Sequence, residues 1–265
     1  MIYLKTFKLS DNTSTHIYPF NIINGKEPGV FVFNKITVLY GNNGSGKSTI
    51  LNIIAHKLKL KGRESNPQVA GMWNYFGKFV SECEYTLGEY DDGRRVVELP
   101  EDSRYIKSEE ILYEIRKIQQ ESILKESMEV NLIKKMGKHK SKQFLREQGK
   151  KQIYRFKFAH EKFSNGQTTT WVLENSIEPN SLCLLDEPEV SLSPQNQVKL
   201  AQDINEMARY LGVQFVIATH SPFLLMLLDA KIYNLDTDDY RVEKWSELPN
   251  VRYFYDFFKK RRDDF

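Results

Sequence analysis

Three short apolar runs punctuate an otherwise mixed chain: Ile36 to Tyr40, Leu182 to Leu185, and Phe215 to Ala218. Each is rich in β-branched, aliphatic or aromatic residues, and the last two are apolar at every position. That pattern predicts strands buried on both faces, as in a parallel sheet covered by helices. Between the last two runs, Val198, Ala201, Ile204, Met207 and Leu211 fall on one face of a predicted helix over Gln195 to Leu211. The order strand, helix, strand has the length of a right-handed crossover. After the first run, Ile50, Ile53, Ile54, Leu58 and Leu60 recur at roughly helical spacing, predicting a helix over Ser48 to Leu60.

The flanking segments are less regular. Met1 to Leu9 and His16 to Ile23 are rich in Ile, Tyr and Phe and read as strands, with Asp11-Asn12-Thr13-Ser14 as the turn. Lys61 to Gly77 reads as an irregular crossing. Glu84 to Leu87 and Arg95 to Leu99, separated by a stretch holding Asp91-Asp92-Gly93, read as a hairpin. A short strand is predicted over Arg104 to Ile106, then a helix from Ser108 with Ile111, Leu112, Ile115 and Ile118 on one face. Near the end, Val251, Phe254, Phe257 and Phe258 at helical spacing predict a helix docked on the core. Lys259-Lys260-Arg261-Arg262 suit the negative end of its dipole.

Charge and cysteine content narrow the class without deciding it. The formal charge of +3 is too mild to argue a nucleic-acid partner by itself. The two cysteines, Cys83 and Cys183, offer neither a disulfide framework nor zinc spacing, which suits a reducing cytosol. Met1-Ile2-Tyr3-Leu4-Lys5 does not read as a signal peptide, and the longest wholly apolar run, Phe223 to Leu228, is six residues. The expectation is a cytoplasmic protein with no membrane insertion. One local bias stands out. From Lys134 to Lys157, ten lysines and arginines face one acid, Glu147, with Phe144, Tyr154, Phe156 and Phe158 among them. The segment reads either as a solvated helical face or as a track for a nucleic-acid backbone with bases stacked on the aromatics.

Chemistry enters at Gly41-Asn42-Asn43-Gly44-Ser45-Gly46-Lys47-Ser48-Thr49, which fits G-x-x-x-x-G-K-[ST] between a predicted strand and a predicted helix. Glycines let the backbone curl with its N–H groups inward, and the helix start adds partial positive charge. Lys47 supplies a point charge to the β- and γ-phosphates, and the Ser48 hydroxyl is a ligand for Mg²⁺. Two further apolar runs end in ionisable groups: Asp186 and Glu187 after one, His220 after the other. In an open α/β sheet such groups collect at the carboxyl ends of strands, beside the phosphate loop. Asp186 suits Mg²⁺. Glu187 suits the orientation and deprotonation of water, and His220 suits donation to a γ-phosphate oxygen.

Phe163-Ser164-Asn165-Gly166-Gln167 opens a predicted helix through Trp171, Val172 and Leu173, shortly before the Asp-Glu strand. With Tyr18-Pro19-Phe20-Asn21-Ile22, the phosphate loop, the run from Leu185 through Asp186-Glu187-Pro188-Glu189 to Pro194, Ala218-Thr219-His220-Ser221-Pro222, and Lys244-Trp245, the chain resembles ABC-type ATPases of the SMC/RecF/OLD-like branch. More narrowly, it resembles short stand-alone bacterial "predicted ATPases" (AAA family ATPases). The resemblance implies an α/β P-loop NTPase fold of ABC-ATPase type, with a mixed central sheet, an antiparallel β subdomain and a helical insertion. It implies a single domain over 1–265 with the insertion at roughly 104–165. It further implies ATP and Mg²⁺ as ligands, with Asn42, Asn43, Gly44, Ser45, Gly46, Lys47, Ser48 and Thr49 around the phosphates. Tyr18 or Phe20 would lie against adenine, Ser48 and Asp186 on the metal, and Glu187 and His220 at the γ-phosphate. Ser164, Asn165, Gly166 and Gln167 would cap ATP held by a second protomer, so the resemblance implies a head-to-tail homodimer formed on ATP binding.

The departures from transporter ATPases are specific. Two glycines are usual where this chain has Asn165-Gly166. Ser108 follows the strand where a metal-binding glutamine is usual, and the loop after the Asp-Glu pair lacks the usual aspartate. The implied function is an ATP-driven conformational switch acting on an unidentified effector protein or on nucleic acid, in genome maintenance or phage defence. The rivals are the ATP-binding subunit of a membrane transporter and a module that senses ATP without turnover.

Overall fold

The computed structural model describes residues 1–27, 29–65, 73–110, 113 and 176–264. The chain divides into two compact units. One comprises Met1–Ser108, Ile177–Val190 and Pro194–Phe265, and the other Glu109–Ser176 with Ser191–Ser193. The elements below belong to the first unit.

Its centre is a five-stranded sheet in the order β5-β6-β7-β3-β8, with every neighbouring pair parallel. The strands are β3 (Ile36–Tyr40), β5 (Arg104–Lys107), β6 (Leu182–Asp186), β7 (Gln214–Ala218) and β8 (Lys231–Asn234). All five residues of β3, of β6 and of β7 are buried, as the continuous apolar runs predict. Helix α1 (Lys47–Lys57) follows β3 and buries Ile50, Leu51, Ile53, Ile54 and Ala55. Leu51 and Ala55 widen the expected stripe, so the helix lies inside the core rather than over it. Helix α3 (Pro194–Tyr210) joins β6 to β7 and buries Leu200, Ala201, Ile204, Met207 and Ala208. Helix α4 (Pro222–Leu227) starts just after β7, and the Ser221 side chain caps it by accepting from the Leu224 amide.

A second sheet is antiparallel, with β1 (Leu4–Lys8) between β2 (Phe31–Val32) and β4 (Glu84–Leu87). The register slips between Leu4 and Thr6, so Leu4 and Phe7 both reach the core although three positions apart. Side chains tie the two sheets together: the Tyr233 hydroxyl and the Lys231 ammonium of β8 bond to Val32 of β2, and a residue of β7 makes four bonds more. Buried Gln214, the first residue of β7, accepts from the Tyr3 and Leu4 amides and donates to the Leu4 and Asn34 carbonyls. Every polar valence of that amide is used.

Four sequence expectations change. His16 to Ile23 is not a strand but a turn leading into a 3₁₀ helix over Phe20–Ile23. Pro19 cannot donate to a ladder, and Phe20 and Ile23, three apart, are the buried pair. Arg95 to Leu99 forms no strand. Only the bridge between Glu89 and Arg95 survives of the expected hairpin, and Val97 faces solvent. The supposed irregular crossing ends in helix α2 (Tyr75–Glu82), capped by the Asn74 side chain on the Gly77 amide and anchored by Phe76 and Phe79. Finally, helix α5 (Pro249–Lys260) forms as expected but does not dock along its length. Val251 is its buried residue, while Phe254, Phe257 and Phe258 are exposed. Cys183 is a buried strand residue, as its apolar neighbours suggested.

Candidate functional site

The loop from Gly41 to Gly46 links the C-terminal end of β3 to the first turn of α1. Gly44 and Gly46 have φ of 84° and 92°, the left-handed region open to glycine. A side chain on Gly41 would lie 2.4 Å from the Ser45 hydroxyl, so the loop closes on itself there. Because α1 begins at Lys47, the amides of Lys47, Ser48 and Thr49 precede the first helical acceptor. The first intrahelical donor is Ile50, bonded to the Gly46 carbonyl at 2.8 Å. The Ser45 hydroxyl is buried without a partner. Buried Lys47 turns its ammonium onto the Gly41 and Asn42 carbonyls (2.7 and 3.1 Å). Three free amides, an orphan hydroxyl and a buried cation form an anion cradle, and phosphate oxygens fit each donor.

Asn42 is the hinge of this loop. Its carbonyl accepts from Lys47 and from the Ser45 amide. Its own amide and side-chain NH₂ donate to Asp236, just beyond β8, at 2.9–3.1 Å. Nothing local in the sequence marks Asp236; strand order brings it to the loop.

The strand ends bring the remaining groups together. Ser48 Oγ donates to Asp186 Oδ1 at 3.0 Å, and Tyr105 Oη donates to Asp186 Oδ2 at 3.0 Å. Burial pushes the Asp186 carboxyl above its usual range, against the pull of those two donors. A hydroxyl and a carboxylate oxygen side by side at the phosphate loop fit Mg²⁺, which takes few protein oxygens and completes its shell with phosphate and water. Glu187 Oε1 lies 3.8 Å from Lys47 Nζ and 3.3 Å from His220 Nδ1. It reaches both from a backbone φ of 47°, an uncommon value for a non-glycine residue.

Of the two aromatics, Phe20 is buried edge-on against Phe79 at 5.0 Å and has no face free for a base. Tyr18 is 51% exposed and stacks on Phe76 at 6.1 Å. Next to it, Ile22 lies within van der Waals reach of a side chain built on Gly46. Ser108 follows β5 at the start of a helix. Ser164, Asn165, Gly166 and Gln167 lie outside the described residues, as do the basic segment 134–157 with its aromatics, the stripe Ile111, Leu112, Ile115 and Ile118, and Trp171 to Leu173.

A phosphate loop on a parallel sheet, with a serine, two carboxylates and a histidine at neighbouring strand ends, defines a P-loop nucleotide-binding protein. The ABC transporter family model matches residues 32–190, more than half of the chain, and the chain belongs to that family as an ATP-hydrolysing enzyme. A second model, AAA domain, putative AbiEii toxin, Type IV TA system, matches residues 166–226. Among solved structures, the SMC head domain from Thermotoga maritima is 15% identical, with 88% of this chain and 94% of that one covered and a TM-score of 0.43. For cbiO1 from Clostridium perfringens, part of the ABC transporter complex cbiONQ, the figures are 15%, 98%, 94% and 0.46. For the Smc head domain with an extended coiled coil bound to the C-terminal domain of ScpA, from Pyrococcus furiosus, they are 13%, 99%, 100% and 0.45. No curated protein matches the sequence. Among the described residues, no helix is long and apolar enough to cross a membrane.

Proposed function

We propose that this ATPase is a Mg²⁺-dependent, non-transport member of the SMC/RecF/OLD-like branch, cytoplasmic, and active as a head-to-tail homodimer. Closure on ATP and reopening after hydrolysis would drive a conformational switch in a partner protein or nucleic acid. The chain would act as one ABC-type unit over 1–265, carrying its insertion near 104–165. The observation that supports this best is the chain of contacts Lys47–Glu187–His220, 3.8 and 3.3 Å, beside the Ser48–Asp186 pair.

Each residue has a task its position suits. The loop donors and Lys47 hold the phosphates, and Tyr18 offers an aromatic face to adenine. Ser48 and Asp186 would hold Mg²⁺, which neutralises phosphate charge. Glu187 accepts a proton from water as its oxygen attacks the γ-phosphorus, while the bond to the β-phosphate oxygen breaks and ADP departs. His220 donates to a γ-phosphate oxygen. Ser164, Asn165, Gly166 and Gln167 would complete the partner's pocket.

The experiment is steady-state hydrolysis. Glu187→Gln is expected to bind ATP and lose turnover, Lys47→Ala to lose binding, and a chelator to stop the wild type. Undiminished hydrolysis by Glu187→Gln would remove the assigned base. The family match favours one rival, the energy-coupling subunit of a transporter, and co-purification with a polytopic membrane protein would support it. Against it stand Ser108 in place of the usual glutamine and Asn165 in place of the usual glycine.

A further inference from the structure

Glu189 has no task in the scheme above, yet it is among the most buried carboxyls near the site, 5% exposed. Its Oε1 accepts from the Thr219 hydroxyl at 2.5 Å and from the His220 amide at 3.3 Å. Its Oε2 is buried with no partner. Thr219 itself is anchored twice more. Its amide donates to the Leu39 carbonyl in β3 at 3.2 Å, and its hydroxyl accepts from the Ser221 amide at 3.0 Å. Glu189 therefore grips the segment that carries His220 at both its side chain and its backbone.

On the other side of the grip stands the turn that presents Glu187. Its left-handed φ of 47° is held by two backbone bonds, Glu187 N–H to the Ala218 carbonyl (2.9 Å) and Val190 N–H to the Glu187 carbonyl (3.1 Å). A strained residue persists only where its surroundings over-determine it. The Glu189 side chain adds a second tie between this turn and the end of β7, beyond the Glu187–Ala218 backbone bond.

We propose that Glu189 is a positioning residue for hydrolysis, locking the end of β7 to the turn after β6 and so fixing the contact between His220 and Glu187. This rests on the reading of Glu187 and His220 as the hydrolytic pair. Burial, the largest influence, pushes the Glu189 carboxyl upward, toward the neutral acid. Oε1 is the oxygen that accepts both bonds. Glutamine reproduces the same acceptor without a charge, so it is the conservative replacement.

The test compares wild type, Glu189→Ala, Glu189→Gln and Thr219→Val by ATP turnover, by binding of a fluorescent ATP analogue, and by the imidazole NMR resonances of His220. The last are assigned from His220→Gln among the five histidines. Glu189→Ala is expected to lower kcat by about tenfold or more with KM and analogue affinity within about twofold, because a misplaced base costs rate rather than binding. Glu189→Gln is expected to recover most of that loss. Thr219→Val, which keeps the side-chain shape, is expected to lose kcat in the same direction and covers the case in which Glu189→Ala fails to fold. Both Glu189→Ala and Thr219→Val should shift the His220 resonances. Wild-type kcat in Glu189→Ala or Thr219→Val, a KM or stability loss with kcat intact, or a glutamine variant as poor as alanine would overturn the proposal. If the wild type itself hydrolyses nothing, the proposed function fails. The His220 resonances then still decide the positioning claim, since unshifted resonances refute it.

Discussion

Ser48 and Asp186 meet at 3.0 Å although 138 positions separate them. The contact joins the first turn of α1 to the last residue of β6, and Tyr105 completes it from β5 on the other carboxylate oxygen. Three elements thus converge on one buried acid. Tyr105→Phe removes a donor and leaves Oδ2 without its partner, while the ring still fills its place. The expected loss is about 1–3 kcal/mol in folding stability, read by urea denaturation. An unchanged midpoint would show that the tyrosine hydroxyl does not hold Asp186.

Asp236 and Asn42 form the second long-range tie, and its effect should fall on binding. Asp236→Ala releases the residue whose carbonyl holds Lys47 and Ser45. The clamp is solvent-exposed, so about 1 kcal/mol is at stake, or roughly three- to tenfold weaker binding of a fluorescent ATP analogue. Asp236→Asn, which keeps one acceptor oxygen, should fall between alanine and wild type. Wild-type affinity in the alanine variant would mean that the loop holds its shape without help from β8.

How much of this could be read from residue order differs between the two kinds of feature. The phosphate loop is local: glycine spacing and the flanking strand and helix specify it. Asp186, Glu187 and His220 were legible because each follows an unbroken apolar run, and the sheet brings such ends together. Asp236, Tyr105, Gln214 and Glu189 were not, because their partners are set by strand order and register, which short-range pattern does not encode. Periodicity misled at α5. It identified a stripe of aromatics, but a stripe does not say whether anything covers it. At His16 to Ile23 the strand-forming composition was outweighed by Pro19.

The exposed face of α5 gives a direct check of that correction. Tyr253, Phe257 and Phe258 are 68%, 44% and 52% exposed. Replacing all three by serine should change folding stability by no more than about 0.5 kcal/mol per site beyond helix propensity, as for ordinary surface positions. A thermal-unfolding loss of core size, several kcal/mol, would restore the sequence expectation of a docked helix.

Acid sensitivity is expected from Glu82, at the end of α2. The Ser10 hydroxyl and then the Asn12 amide hold its carboxyl below the ordinary value, with Lys78 adding to them. A depressed folded-state value means the unfolded chain binds the proton more readily. Its contribution is therefore present above the ordinary glutamate range and lost as pH falls through the folded-state value. Glu82→Gln should be less stable than wild type at pH 7, and the gap should shrink as pH falls through the folded-state value. A gap independent of pH would assign the loss to packing.

The proposed pairing of two chains around ATP is most directly tested by light scattering on Glu187→Gln with and without ATP and Mg²⁺. The expected result is one chain without nucleotide and two chains with it, with a Ser164→Arg change keeping the mass at one. Nucleotide bound stoichiometrically to a species that stays at the mass of a single chain would contradict the account.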